Sequence, residues 1–321
     1  MDQRCSADRL RAATALVVDL RRWGGIAVAA WAAFLQCGGC VMSVSTSSGH
    51  RFDKLRTLRF GYGWRVARAI VRQALGREVQ FRAQAWTTLA VGVLEVAVAI
   101  VPALLIFGRT DQVHGWSIGE VLMVTGAAQL LNAFLAAVIT PNQSKMTDYI
   151  RNGDLDLILI RPAPAQLFAA FRWFEPAALL GALSGLAVLI VGWLQAGLHP
   201  SPAGVLFALG WFVLGCAAVA LIWVNLGYLA FWLTSAGQLQ EFLATLLTAG
   251  RYPLAFYPAA VRTIFLSLVP IGLATTIPVD ALRGRNSLPE LIIAVLLLGV
   301  LAMITRLHWL AGLRSYSGAS S

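Results

Sequence analysis

The sequence predicts an all-α, polytopic membrane protein: six core transmembrane helices, an N-terminal interfacial helix, and broken or re-entrant helices at the outer face before the last span. Three observations predict it. Of 321 residues, 58% are apolar and only 12% are Asp, Glu, Lys or Arg, about half the charged share of an ordinary soluble domain. No charged residue occurs from Pro176 to Gln240, a run of 65 residues, and at about 20 residues per crossing that run alone holds two or three spans. The four cysteines (Cys5, Cys37, Cys40, Cys216) have no framework spacing, which excludes a disulfide scaffold, and the apolar content excludes disorder.

The net charge of +10 is an N-terminal feature, because residues 1–85 hold 14 basic and 5 acidic side chains, a net of +9, which leaves +1 for the rest. Basic clusters beside a hydrophobic span are retained on the cytoplasmic side. The asymmetry therefore sets orientation and calls for no nucleic acid.

Residues 1–61 form a leader with three readings. Trp23 to Gly49 is uncharged and long enough to span, but its glycines make a poor helix. A signal peptide would need an earlier apolar core and a small-x-small cleavage site. A start at Met42 would leave a polar, flexible leader. The CGGC at Cys37 to Cys40 is one pair without a second pair or a histidine, which falls short of a metal or redox signature.

From Tyr62 to Gln84 the apolar positions Trp64, Ala67, Ile70, Val71, Ala74, Leu75 and Val79 share one face, with Arg65, Arg68 and Arg72 on the neighbouring stripe. This pattern is an interfacial helix whose arginines reach headgroups or an acidic partner. Spans are expected at Trp86–Phe107, Ile118–Thr140, Ala177–Trp193, Gly204–Phe231, a short Gly237–Gly250, and Leu288–Trp309. The second-to-third connection returns to the basic side with Lys145, Arg151, Arg161 and Arg172. In Arg251–Arg285, Pro253, Pro258, Pro270 and Pro278 interrupt the apolar pattern, and Thr263–Val279 is short of a crossing, so this stretch is broken or re-entrant and packed on protein. If Thr263–Val279 crossed, there would be seven spans and an external C-terminus.

Three segments carry a resemblance. YIRNGDLDLILIRPAP (Tyr149 to Pro164) fits an R-x-G-x-L-D … L-x-R-P pattern, LAFW and GRYPLAFYPAAVRTIFLSLVPIGLATTIP fit a YP … FP … P region before the final span, and GLRSYSGAS closes the chain. With these segments, residues 62–318 resemble the permease subunit of type-2 (ABC-2) ABC exporters, in the compact six-span bacterial branch with separately encoded ATPases. The tail departs from the usual order at Ser317-Gly318-Ala319. The resemblance implies a bacterial inner-membrane exporter of a lipid or amphipathic, drug-like substrate, paired with itself or a paralogous permease. It also implies ABC ATPase partners, with membrane lipid around the spans and both ends of 62–321 cytoplasmic.

No G-x-x-x-x-G-K-[ST] phosphate loop occurs, so ATP is expected on another chain and no cofactor on this one. His50, His114, His199 and His308 are far apart in sequence, and no metal set or catalytic triad is nominated. Under the resemblance, the segment after the second span is the ATPase-coupling element. Gly153 stops one short helix (Gln143–Asn152), Asp154 caps the next (Leu155–Ile160), and Arg161-Pro162 ends it. Arg151, Asp154, Asp156 and Arg161 would set ionic register and Tyr149 and Leu155 would be apolar anchors, against the alternative of a solvated loop. At membrane depth Glu95 sits mid-span, with Gln129, Asn132 and Glu241 as further polar positions. They belong to a translocation path or to interhelical hydrogen bonds, including one from a protonated Glu95. An ion-driven carrier or a membrane-embedded enzyme are the rivals; the first needs paired intramembrane charges in repeat symmetry and the second a polar catalytic cluster.

Overall fold

A computed structural model describes residues 82–160, 165–233, 236–285 and 287–316. The leader with Met42, nearly all of the interfacial helix including Arg65, Arg68 and Arg72, and Arg161 and Pro162 lie outside these residues. The described chain is helical, with one isolated bridge between Val113 and Trp116. Five runs have the length and apolar composition of a crossing: Trp86–Phe107, Ile118–Asn152, Pro176–Ala196, Pro202–Phe231 and Leu288–Ser315.

Helix α1 (Arg82–Phe107) leads to a tight hairpin in which Val113 and Trp116 exchange two backbone hydrogen bonds of 3.0 Å. His114 (φ 50°) and Gly115 (φ 76°) supply the two positive φ values that a type I′ turn requires. Helix α2 (Ile118–Phe134) then starts at a capping box. Glu120 N–H donates to Ser117 Oγ at 3.4 Å, and Ser117 N–H donates to Glu120 Oε2 at 2.8 Å, which satisfies two otherwise unpaired first-turn donors.

A π-helical turn at Leu135–Ile139 joins α2 to α3 (Thr140–Asn152). The short helices α4 (Leu155–Leu159) and α5 (Ala165–Phe171) follow. A 3₁₀ turn at Pro176–Leu179 precedes α6 (Leu180–Ala196), and α7 spans Pro202–Tyr228. Helix α8 (Ala236–Ala249) has 14 residues, about 21 Å of rise, and so reaches only part of the way through a hydrocarbon core of about 30 Å. Next come α9 (Ala259–Ser267), α10 (Ile271–Ala274) and α11 (Thr276–Leu282), and last α12 (Leu288–Ser315).

The bundle has two ends, one marked by Trp116 and the other by Trp309. The stretch 251–285 begins and finishes at the Trp116 end, where Tyr252, Ala255 and Phe256 pack in one cluster with Trp116, Trp193 and Leu198. At its other limit, the Arg283 guanidinium lies 4.5 Å over the Trp116 ring and 2.9 Å from Glu120. Between these limits α9 meets the α10–α11 run at a bend of 74°. Thr263–Val279 therefore does not carry the chain to the opposite end. Its irregular backbone is covered by protein, as the bilayer requires, since Phe265, Val269, Ile271 and Ala274 share the central core with Leu131, Trp223 and Leu247.

Glycines set the close contact between α2 and α6. A Cβ on Gly126 of α2 would lie 2.7 Å from both Gly185 O and Leu189 N, and one on Gly192 of α6 would lie 2.8 Å from Met123 N. Gly119 and Gly126 are seven residues apart, as are Gly185 and Gly192. The antiparallel pair α2–α6 thus meets backbone to backbone, the small-residue packing by which membrane helices gain dispersion contacts without a hydrophobic driving force.

Candidate functional site

The Trp309 end gathers side chains from segments far apart in sequence. Tyr149, Met146, Leu155, Ile158, Ala169, Val224, Tyr228 and Trp309 form one buried cluster, with Phe231 and Tyr316 packed on it. The Phe231 ring meets Trp309 and Tyr316 at 5.9 and 6.3 Å, and Trp232 stacks on His308 at 5.3 Å. Residues 146–158, the end of the LAFW string (Phe231 and Trp232) and the last turn before Tyr316 are thus one structural unit. Burial, together with the negative charges of Asp156 and Asp154, pushes the Tyr316 phenol up from its ordinary pKa.

Within this unit α3 ends at Gly153, whose φ of 76° is the left-handed conformation that glycine adopts without strain. Asp154 stands at the next N-cap position, but its backbone is already helical (φ −65°, ψ −13°) and its side chain makes no capping bond. The predicted cap is therefore absent. Tyr149 and Leu155 point into the chain's own core, so they hold α3 and α4 to this protein. The outward side carries Arg151, Asn152, Asp154 and three apolar side chains, Leu157, Leu159 and Ile160, the last 78% exposed. Gly153 and Asp156 are half-buried.

The junction between α2 and α3 follows from one residue. Pro141 has no N–H to give to Ala137 O, four residues back, and its ring crowds that carbonyl. The helix widens into the π turn there, and Ala137 O accepts instead from Glu175 N–H at 2.9 Å. Asn142 completes the attachment. It is fully buried, donates to Val138 O and Trp173 O at 2.6 Å, and accepts from Trp173 N–H at 2.7 Å. Trp173 Nε1–H also donates to Tyr149 Oη at 2.6 Å. The strand of chain leading into α6 is thereby tied to α3 by side-chain and backbone bonds together.

At membrane depth Glu95 has a cationic partner. Arg251 Nη2 lies 3.2 Å from Glu95 Oε2, and Nη1 donates to Glu95 O at 3.3 Å. The Arg251 side chain is 14% exposed and that of Glu95 46%. Thr125 Oγ1 donates to Arg251 O at 2.9 Å, and Tyr252 Oη donates to Ala99 O at 3.0 Å. The contacts between Glu95 and Arg251 thus tie α1 to the residues after α8. Gln129 is buried one turn beyond Thr125 on α2, with Oε1 unpaired. Asn132 is half-buried, and Glu241 is exposed on α8; neither joins the Glu95–Arg251 pair. Among the described residues no group of three His, Cys, Asp or Glu side chains is placed to hold a metal ion.

The partners Arg251, Asn142 and Trp173 were not singled out from the sequence as members of a site. Pro141-Asn142 at the end of an apolar run was the available signal for the junction. Arg251 is 156 positions from Glu95, and only the fold brings the two together. A family model described as ABC-2 family transporter protein matches residues 93–320. No curated protein and no solved structure matches the chain.

Proposed function

Because this chain belongs to the ABC-2 family of transporters and is thereby a multi-pass permease subunit of an ABC transporter, we propose that it exports a lipid or amphipathic, drug-like substrate, driven by a separately encoded ATPase. The Trp309 end is cytoplasmic in this reading, supported by the net +9 of residues 1–85 and by the basic 141–172 connection. Two copies, or this chain and a paralogue, flank the path in the plane of a bacterial inner membrane.

The α3–α4–α5 unit is the coupling element, and one observation carries this: the segment is fixed to the permease from within and presents a polar and apolar surface outward. Tyr149, Leu155 and Ile158 anchor it. Arg151, Asp154, Leu157 and Ile160 face away from the chain and would meet the ATPase. Closure of the ATPases displaces α4, and α3 transmits that movement as a rigid lever toward the π turn, where the regular helix is already interrupted. Energy therefore enters as a shift in the relative stability of two arrangements of the spans. Glu95, Gln129, Asn132 and Glu241 are the polar positions assigned to the path or its walls.

The test is reconstitution. Inside-out vesicles holding this chain and its cognate ABC ATPase should accumulate a fluorescent amphiphile only with ATP and only with both chains present. Accumulation driven by an ion gradient without ATPase would favour a secondary carrier instead.

A further inference from the structure

Two buried amide atoms, an oxygen and a nitrogen, stand unpaired beside one glycine. Gln143, on α3, is 1% exposed, and its Oε1 has no hydrogen-bond partner. Gln240, on α8, has a buried Nε2 with no partner. Both amides lie against Gly227 of α7: the Gln143 amide occupies the space a Cβ there would fill, and Gln240 Nε2 is 3.3 Å from that point. One atom is an acceptor and the other a donor. Interior polar groups are nearly always bonded, so a complementary pair left open in one place calls for a physical reason.

The reason lies one residue away. Gln143 follows Asn142, at the base of the lever and just past Pro141 and the π turn. A small rotation of α3 about that turn moves Gln143 while Gln240 stays on a different helix. We infer that Gln143 and Gln240 form a two-position latch, open in this conformation and closed by a Gln240 Nε2–H to Gln143 Oε1 hydrogen bond when α3 swings about the π turn. Gly227 keeps the notch clear, since any side chain there would overlap the Gln143 amide. The latch joins the lever directly to the short helix α8, which leads into the ion-paired Arg251. As a step in transport it rests on the permease reading, but its existence does not.

Spin labels at Lys145→Cys on α3 and Gln238→Cys on α8, both exposed positions, report the latch in the full chain once Cys5, Cys37, Cys40 and Cys216 are replaced by alanine. In proteoliposomes without ATPase, double electron–electron resonance should show two distances. The share of the shorter should fall about fivefold, the size of one net intramolecular hydrogen bond, in Gln143→Met and in Gln240→Met alike, with no further loss in the double variant. A single distance in every variant overturns the latch, and so does a shorter distance that both substitutions leave intact. The Met variants should melt no lower than their parent, because each removes a buried amide atom that has no partner; a lower melting temperature in both would mean that these atoms are already bonded here, contradicting the open state. No ATPase enters the measurement, so failure of the latch and failure of the permease reading are separate results.

Discussion

Asn142 makes three short hydrogen bonds from a fully buried position, two of them to the backbone of Trp173, and removing it takes all three away. Each buried group left unpaired costs about 1–3 kcal/mol, so Asn142→Leu should lower the melting temperature of the purified chain clearly, although leucine suits the membrane better. An unchanged melting curve would mean that residues 172–175 find other partners. The Glu95–Arg251 pair is asymmetric. Glu95→Gln leaves a nearly buried guanidinium without its counter-ion, at a cost of about 2.5–3.5 kcal/mol on insertion scales, whereas Arg251→Met leaves a carboxylate that is already half-exposed. Glu95→Gln should therefore be the more destabilising single change. The double variant should be milder than the sum, by a coupling of about 0.5–3 kcal/mol in a thermal-denaturation cycle; additivity would show that the two side chains do not interact. Glu95 was visible in the sequence because a lone carboxylate in an apolar run is costly. Its partner was not, because Arg251 reads locally as the boundary charge of a short span. Tyr149 and Leu155 were likewise legible as apolar anchors, but the pattern of a five-residue helix does not say which of two surfaces it is anchored to.

Between helices, the α2–α6 seam is set by glycine rather than by side-chain shape. Gly126→Val must push the Gly185 carbonyl and Leu189 aside, both 2.7 Å from the added Cβ, and overpacking of this kind costs about 1–3 kcal/mol. Gly299 on α12 has open space around the same position, so Gly299→Ala should be neutral or gain about 0.4–1 kcal/mol by restricting the unfolded chain. Melting temperatures of the two variants should separate in opposite directions; equal losses would point to helix flexibility and not to close approach. The spans themselves were legible, because the 65 uncharged residues and the prolines of 251–285 act through hydropathy and backbone geometry, which are local. The seam was written in the same sequence as a seven-residue spacing of glycines on both helices, but in an apolar run glycine also reads as a weak helix former. The continuation of the second span to Asn152 was missed for a related reason. Pro141 looks like a terminator, yet here the π turn and Glu175 N–H absorb the lost bond and the helix goes on.

Across the whole molecule, the residues that form the Trp116 end and those that form the Trp309 end should be separable by a reagent that cannot cross the membrane. Single cysteines at Gln112 and His199, both exposed and beside the first and third connections of the bundle, should react from outside intact cells; those at Asn152 and Ser315 should react only after permeabilisation. External labelling of Ser315→Cys would reverse the C-terminal orientation. The transport machine was recognisable from three short segments, and the fold brings parts of them together: Tyr149, Leu155 and Ile158, Phe231 of the LAFW string and Tyr316 of the tail pack around Trp309, whereas the proline-rich stretch after α8 lies at the Trp116 end and in the central core. What that unit meets outside the chain was not legible, because the partner's surface is not in this sequence. The most direct test is therefore ATPase binding by the double charge reversal Asp154→Arg/Asp156→Arg, measured by co-purification alongside ATP-driven export in proteoliposomes. Each partly exposed ion pair is worth only about 0.2–1 kcal/mol, so the double change is the decisive one. If the α3–α4 unit couples to the ATPase, the variant inserts and melts normally but loses ATPase association or export by at least severalfold; wild-type association together with fully retained export would contradict it.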